Sequence, residues 1–254
     1  SIGETPPPGY TPEHEAFRDT IRRFVEKEIE PYVSEWDETE TFPRELYNKA
    51  GDIGLLGVGF PEEYGGTDGT DIYHTYIIAE ELARAGGGGV QASLLSHSIG
   101  APPINALGTP EQKSKWLPPV LSGEKISALA ITEPSGGSDV AQLQTSARHD
   151  GDHYVVNGSK TYITSGMRAD LITVAVRTGG PGLGGISLLA IETDTPGFAR
   201  TPLKKMGWWA SDTATLYFDD CRVPVENMLG EENKGFTAVM NNFNMERVGM
   251  AAGA

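Results

Sequence analysis

The stretch "ISALAITEPSGGSD" (residues 126–139) divides the chain into two kinds of sequence. Its first half is apolar and carries β-branched residues, the composition of a short buried strand. Its second half sets a charge and a proline before two glycines and two serines, which is loop chemistry. Working outward from it, apolar residues recur at helical spacing upstream and in short strand-like runs downstream.

Upstream, Phe17, Ile21, Phe24, Val25 and Ile29 step by three and four, behind Thr11 as N-cap and Pro12 at the first helical position. In "DIYHTYIIAEELARA", Asp71 caps a second helix, and glycines 86–89 are read as its terminator. In "TPEQKSKWLPPVL", Thr109 and Gln112 form a capping box around Pro110, and Pro118 with Pro119 is expected to stop that helix.

Downstream, "ISALAIT", "HYVVNG", "DLITVAVRT", "ISLLAIET" and "ATLYFDD" are strand candidates, with the first expected to end near Thr132. "HDGD", "NGSK", "TGGPGLGG" and "TDTPG" supply turn signals between them, so an antiparallel sheet is expected. After "GEENKG" the helical period returns in "FTAVMNNFNMERVGMAAGA" and reaches residue 254 without a capping residue, as though the sequence were cut inside a helix. The order is helices (1–125), strands (126–234), then the start of further helices (235–254), an α+β organisation.

Composition bounds the function. The 254 residues are 38% hydrophobic, and 20 Lys and Arg against 35 Asp and Glu give a net charge of −15. Long-range attraction to nucleic acid or an anionic membrane is therefore not expected, and a polyanionic ligand must be held by local donors. The single cysteine, Cys221, forms no internal disulfide and fits a reducing compartment, cytoplasmic or, in a eukaryote, the mitochondrial matrix. No stretch has the length of a membrane span, and "SIGETPPPGY" lacks the pattern of a secretory signal.

Several motifs fail on context. Gly180, Gly182 and Gly185 match G-x-G-x-x-G, but a strand rather than a helix follows, which makes the segment a flexible hairpin tip. His149 and His153 have metal-ligand spacing across a turn sequence with no third ligand nearby, so no metal is expected. Glycines 86–89 lack the Lys-Ser/Thr of a P-loop, and Val140 interrupts any nucleophile elbow. "EPSGGSD" fares better: Gly136 and Gly137 let backbone N–H groups approach a ligand, and Thr132 and Ser138 add hydroxyls suited to a pyrophosphate. A plain polar connection between strands is the alternative reading of the same residues.

The motif "AITEPSGGSD", followed in order by "YITSG", "ASDTATLYFDDCRVP", "LGEENKGF" and "FNMERVGMAAGA", resembles the acyl-CoA dehydrogenase family, and "TPEHEAFRDTIRRFVEKEI" is similar to that family's first helix. The resemblance implies an N-terminal α-helical domain, a central β domain and a C-terminal α-helical bundle. It also implies FAD, acyl-CoA as substrate, an electron-transfer flavoprotein as partner and a homotetramer. On the matching positions, Leu129, Ile131 and Thr132 border the flavin ring, and Gly137 and Ser138 lie near its pyrophosphate or the substrate's phosphopantetheine arm. Tyr162, Ile163 and Thr164 form a second flavin segment; without the resemblance, Tyr162 reads as a core aromatic of a strand.

On the final helix, at about 100° per residue, Phe236, Val239, Phe243 and Met250 form an apolar stripe bordered by Glu246 and Arg247. Geometry alone makes those two charges solvated flanks. "FNMER" resembles the segment carrying the catalytic glutamate of isovaleryl-CoA and long-chain acyl-CoA dehydrogenases, which assigns the base to Glu246 and CoA contacts to Asn244 and Arg247. Asn244 stands where aspartate is common, Gln142 where a small residue is, and Tyr162 where tryptophan is frequent. Trp208, Trp209 and Ala210 replace a smaller residue, arginine and glycine. The implied reaction oxidises a saturated acyl-CoA to the trans-2-enoyl-CoA; an oxygen-using acyl-CoA oxidase and a non-catalytic flavin- or CoA-binding relative share the same motifs.

Overall fold

A computed structural model gives the architecture of residues 9–237 together with Met240 and Ala251. Its helices come first: α1 (Pro12–Glu28), α2 (Val33–Glu38), α3 (Glu45–Asp52), α4 (Ile72–Arg84), α5 (Gly88–Leu94), α6 (His97–Gly100), α7 (Pro102–Leu107) and α8 (Pro110–Leu121). The strands follow: β1 (Ser127–Ala130), β2 (Ser146–Asp150), β3 (His153–Thr164), β4 (Leu171–Arg177), β5 (Ile186–Glu192), β6 (Phe198–Pro202), β7 (Thr213–Pro224) and β8 (Met228–Leu229).

The caps stand where the sequence puts them. The Thr11 side chain accepts the His14 N–H, Asp71 accepts the Tyr73 N–H, and Thr109 and Gln112 close a reciprocal box. Two helix-end expectations are corrected. Pro118 and Pro119 lie inside α8, which continues to Leu121 because Trp116, Leu117, Val120 and Leu121 are all buried and their burial outweighs the lost N–H groups. Of the four glycines, Gly86 at φ 70° follows the end of α4, whereas Gly88 and Gly89 begin α5. Gly89 is needed for close approach: a Cβ there would lie 2.9 Å from the Ser211 nitrogen and 3.0 Å from the Trp208 oxygen.

The sheet runs β6-β7-β3-β2-β4-β5-β8, with β1 also on β4. It is predominantly antiparallel, as expected, but β1 and β2 both pair with β4 in parallel. Ala130 opposes Val174 and Ser146 opposes Arg177, so β1 and β2 lie end to end along one edge of β4. Residues 131–145 leave the sheet between them, while β4 advances only from Val174 to Arg177. This interruption ejects the "TEPSGGSD" loop.

Three further readings change. The first strand ends at Ala130 rather than Thr132. "NGSK" is not a hairpin turn: β3 runs through it, with a register shift between Val156 and Gly158 against β7. Gly158 has φ 142°, and a Cβ there would sit 2.7 Å from the Thr145 Cα, so close contact with the strand entering β2 explains the glycine. Strand β6, "FARTP", escaped the sequence reading because it is a short edge strand ending in proline. The glycine-rich 178–185 segment does join the antiparallel strands β4 and β5, and the turn around Gly151 joins β2 to β3.

Two apolar clusters tie the parts together. One combines Ile21, Phe24, Leu46 and Ile77 of the helices with Val156, Val174 and Phe218 of the sheet. The other joins Trp116, Leu117 and Leu121 of α8 to Ile131, Leu143, Leu188 and Leu229, with Leu129 and Phe236 packed against it.

Candidate active site

The ejected loop is held by backbone bonds and one carboxylate. Glu133 and Gly136 exchange both N–H···O bonds, at 3.1 and 3.0 Å, turning the chain over Pro134 and Ser135. Gly137 sits against Thr132, where a Cβ would lie 3.0 Å from the Thr132 Cγ2 and 3.3 Å from its Oγ1. Pro134 through Asp139 are exposed and Thr132 is half-buried, so the Thr132 and Ser138 side chains border open space. The Thr132 carbonyl accepts the Thr161 N–H at 2.9 Å, which sets the loop beside the end of β3.

Beneath this surface lies a buried ion pair that the sequence reading missed. Lys160 is fully buried and donates from Nζ to the Ile131 carbonyl at 3.0 Å and to Glu133 Oε1 at 2.8 Å. Glu133, also buried, accepts the Gln144 N–H on Oε2 at 2.7 Å and the Thr145 N–H on Oε1 at 2.9 Å. Burial pushes the Lys160 pKa down to about 8 against the opposing pull of Glu133, leaving the ammonium the favoured form at pH 7. Burial pushes Glu133 up, but the Lys160 charge and the backbone donors together hold it below the ordinary carboxylate value. Lys160 stands among Asn157, Gly158, Ser159 and Thr161 in β3, so no break in an apolar pattern marked it as buried.

The second segment departs from strand geometry. Tyr162 falls at the register shift between Lys160 and Ile163, at φ 59°, and is 71% exposed. It is therefore not a core aromatic. Ser165 is also left-handed, at φ 60°, and is fixed by Ser165 N–H to Asp212 O at 2.8 Å. Such backbone in bulky residues persists only where surrounding contacts impose it. Ile163 and Ile131 are buried in the two cores, so their side chains face away from the open surface, whereas Leu129 and Thr164 are half-buried. The structure thus sets Thr132 against Gly137 and beside Thr161, the neighbour of Tyr162; Ser138 and Tyr162 are exposed and Thr164 is half-buried at the end of β3.

Arg177 fastens the other margin. Its guanidinium donates to the carbonyls of Leu143 (2.9 Å), Ala141 (2.7 Å), Gly180 (2.6 Å) and Gly182 (3.1 Å). The glycine-rich tip is pinned to the loop rather than free. The final helix begins against the same body: a Cβ at Gly235 would lie 2.8 Å from the Ser187 carbonyl carbon, and Phe236 packs on the second core. Asn244, Glu246 and Arg247 lie outside the described residues.

One group of possible metal ligands gathers among the described residues, His14, Asp71 and His74, at the start of α1 and α4. Its hydrogen bonds account for it. The Thr11 N–H meets His14 Nδ1 at 2.9 Å, the Asp71 N–H meets His74 Nδ1 at 3.1 Å, and His14 Nε2 meets Asp71 Oδ1 at 3.0 Å, so the rings close two helix caps. His14, accepting at Nδ1, carries its proton at Nε2, which bonds the Asp71 carboxylate, whereas His74 meets Asp71 Oδ1 through Nδ1 at 2.9 Å.

Comparison with known proteins matches residues 11–124 to the model of the acyl-CoA dehydrogenase N-terminal domain and residues 128–221 to that of the acyl-CoA dehydrogenase middle domain. A short-chain-specific acyl-CoA dehydrogenase of Clostridium acetobutylicum is 44% identical over 96% of this chain, which spans 65% of that protein. The crystal structure of an acyl-CoA dehydrogenase from Geobacillus kaustophilus superposes with a TM-score of 0.92 at 44% identity, covering 97% of this chain and 65% of that one. An acyl-CoA dehydrogenase of Bacillus anthracis complexed with FAD gives a TM-score of 0.90 at 37% identity, over 98% of this chain and 43% of that one. This chain therefore spans just under two thirds, or less, of the length of these relatives.

Proposed function

The chain belongs to the acyl-CoA dehydrogenase family, whose N-terminal and middle domains it carries, and from this premise we propose that the complete protein is an FAD-dependent enzyme converting saturated acyl-CoA to trans-2-enoyl-CoA. The observation that carries the proposal is the pairing of the two flavin motifs, in which the Thr161 N–H bonds the Thr132 carbonyl at 2.9 Å.

The residues present fit a flavin dinucleotide. Tyr162 offers an exposed ring in an imposed conformation, Thr132 and Thr164 carry half-buried hydroxyls on the two segments, and an open glycine turn with Ser138 supplies uncharged donors. When bound, FAD supplies the hydride acceptor for the substrate's β-carbon. Glu246 takes the proton next to the thioester carbonyl; a carboxylate that a bound acyl chain shields from water becomes a stronger base, because desolvation disfavours its charged form. Ser138, Asn244 and Arg247 hold the CoA moiety, fixing the acyl chain between base and acceptor. Leu129 borders the ring system, and Ile131, Gly137 and Ile163 contribute to the cofactor site through backbone and close packing. Electrons leave to an electron-transfer flavoprotein, and the active assembly is a homotetramer.

The test is anaerobic mixing of the flavin-loaded protein with saturated acyl-CoAs of graded length and branching. Flavin bleaching with at least one of them is expected, and its loss in Glu246→Gln supports the base assignment. Undiminished bleaching in that variant overturns Glu246, and no bleaching with any acyl-CoA overturns the dehydrogenase reading.

A further inference from the structure

We propose that Glu133 and Lys160 are positioning residues that set the two flavin-binding segments at a fixed separation; this rests on the FAD reading above. Neither side chain is exposed to a ligand, and both are buried under the loop. What they join is specific. Ile131 and Thr132 are consecutive, and their carbonyls accept from Lys160 Nζ at 3.0 Å and the Thr161 N–H at 2.9 Å, also consecutive residues. These two bonds form a short ladder between the segment leaving β1 and the end of β3. They lie immediately before Tyr162 on one side and Glu133 on the other.

Glu133 fastens the rest of the excursion. Its oxygens take Gln144 N–H and Thr145 N–H, the residues that lead back into β2. One carboxylate therefore ties the start of the 131–145 loop to its end, while the lysine ties both to β3. Thr132 and Thr164, the hydroxyls assigned to one planar ring, belong to the two segments that this junction joins: Thr132 lies between Ile131 and Glu133, and Thr164 lies four residues after Lys160 on β3. Their separation depends on it.

A purely stabilising role explains the pair less well. Burying two charges carries a large desolvation cost, and apolar residues of the same volume commonly serve as well or better. An ion pair with four directed contacts does what an apolar patch does not: it fixes register at a place where the sheet ladder is interrupted.

The test compares Glu133→Gln, Lys160→Gln and the double variant with wild type, all as flavin-loaded protein and after flavin removal. The control is Glu81→Gln, which disturbs a buried carboxylate held by Arg18 at 3.1 Å and Arg22 at 2.9 Å between α1 and α4, away from the loop. Each single variant is expected to raise the FAD dissociation constant at least tenfold and to change the visible circular dichroism and midpoint potential of the flavin that remains. The double variant leaves no unpaired buried charge and keeps an amide donor for the Ile131 carbonyl in place of the Lys160 ammonium, so it is expected to recover part of the affinity. Glu81→Gln is expected to lower the melting temperature and leave FAD affinity unchanged. If a single variant does not fold, Lys160→Arg, which keeps the charge and displaces the Ile131 contact, is read in the same way. Affinity within twofold of wild type with an unchanged flavin spectrum, in folded Glu133 and Lys160 variants, overturns the proposal. A wild-type protein that binds no FAD overturns the cofactor reading instead.

Discussion

Replacing Tyr162 by asparagine separates what this residue does for the fold from what it does for a ligand. The ring is 71% exposed, so truncation returns little apolar area to water. For a side chain of this size the buried remainder is roughly 60 Å², worth at most about 1.5 kcal/mol. Against that loss stands the backbone, held at φ 59°, where an ordinary L-residue costs about 1–2 kcal/mol and asparagine is tolerated. The two terms nearly cancel. Urea unfolding of the flavin-free protein is therefore expected to give the same stability for Tyr162→Asn and wild type to within about 1 kcal/mol, whereas a core aromatic costs about 3–5 kcal/mol on truncation. With FAD added the two proteins should part. An aromatic ring pair contributes about 1 kcal/mol, which corresponds to a roughly fivefold weaker dissociation constant and a correspondingly smaller ligand-induced rise in stability. A loss of about 3 kcal/mol or more without flavin, or equal FAD affinity, would refute the reasoning.

Two other residues yield independent tests. His97 is buried with Nε2 3.0 Å from the Leu56 carbonyl, and burial pushes its pKa down to about 4. The unfolded chain then binds more protons than the folded one below about pH 6.5, so this contribution is complete above that pH and is lost as pH falls towards 4. Between pH 7 and 4.5 it removes about 2 kcal/mol, and His97→Gln should flatten the unfolding free energy over that window by the same amount; an unchanged slope contradicts the assignment. Arg177→Gln should release the 178–185 tip, since a shorter amide with only two N–H donors replaces the guanidinium that bridges Leu143 and Ala141 to Gly180 and Gly182. Hydrogen exchange of the tip amides is expected to quicken about 10- to 100-fold, the equivalent of about 1.5–3 kcal/mol, and exchange at the wild-type rate would show the clamp to be idle.

What could be read from the sequence was what is decided within a few residues. Thr11, Asp71 and Thr109 were legible as caps because a cap bonds its own first turn, and residues 133–139 were legible as a loop because glycine and proline act locally. The misreadings came where a distant contact decided the outcome. "NGSK" has the local chemistry of a turn, yet Gly158 is there because Thr145 passes within reach of its missing Cβ. Pro118 and Pro119 have the local chemistry of a stop, yet the apolar face around them is buried against another element. The parallel placement of β1 and β2 along β4 is the largest case, since nothing between residues 126 and 150 encodes a partner at 171–177.

The buried pair shows why the motif's residue types take the form they do. In a chain of net charge −15, a lysine beside the loop would be the natural counterion for a pyrophosphate, but Lys160 is 0% exposed, turned inward and neutralised by Glu133. Its charge is spent on geometry. The ligand side of the loop is then left with uncharged donors, the glycine backbone and the hydroxyls of Thr132 and Ser138, which bind only a group placed within hydrogen-bond reach. The inward charges make the outward neutrality workable: donors this short-ranged are useful only if the backbone carrying them does not move, and the carboxylate that holds residues 144 and 145 is the same one that holds the lysine.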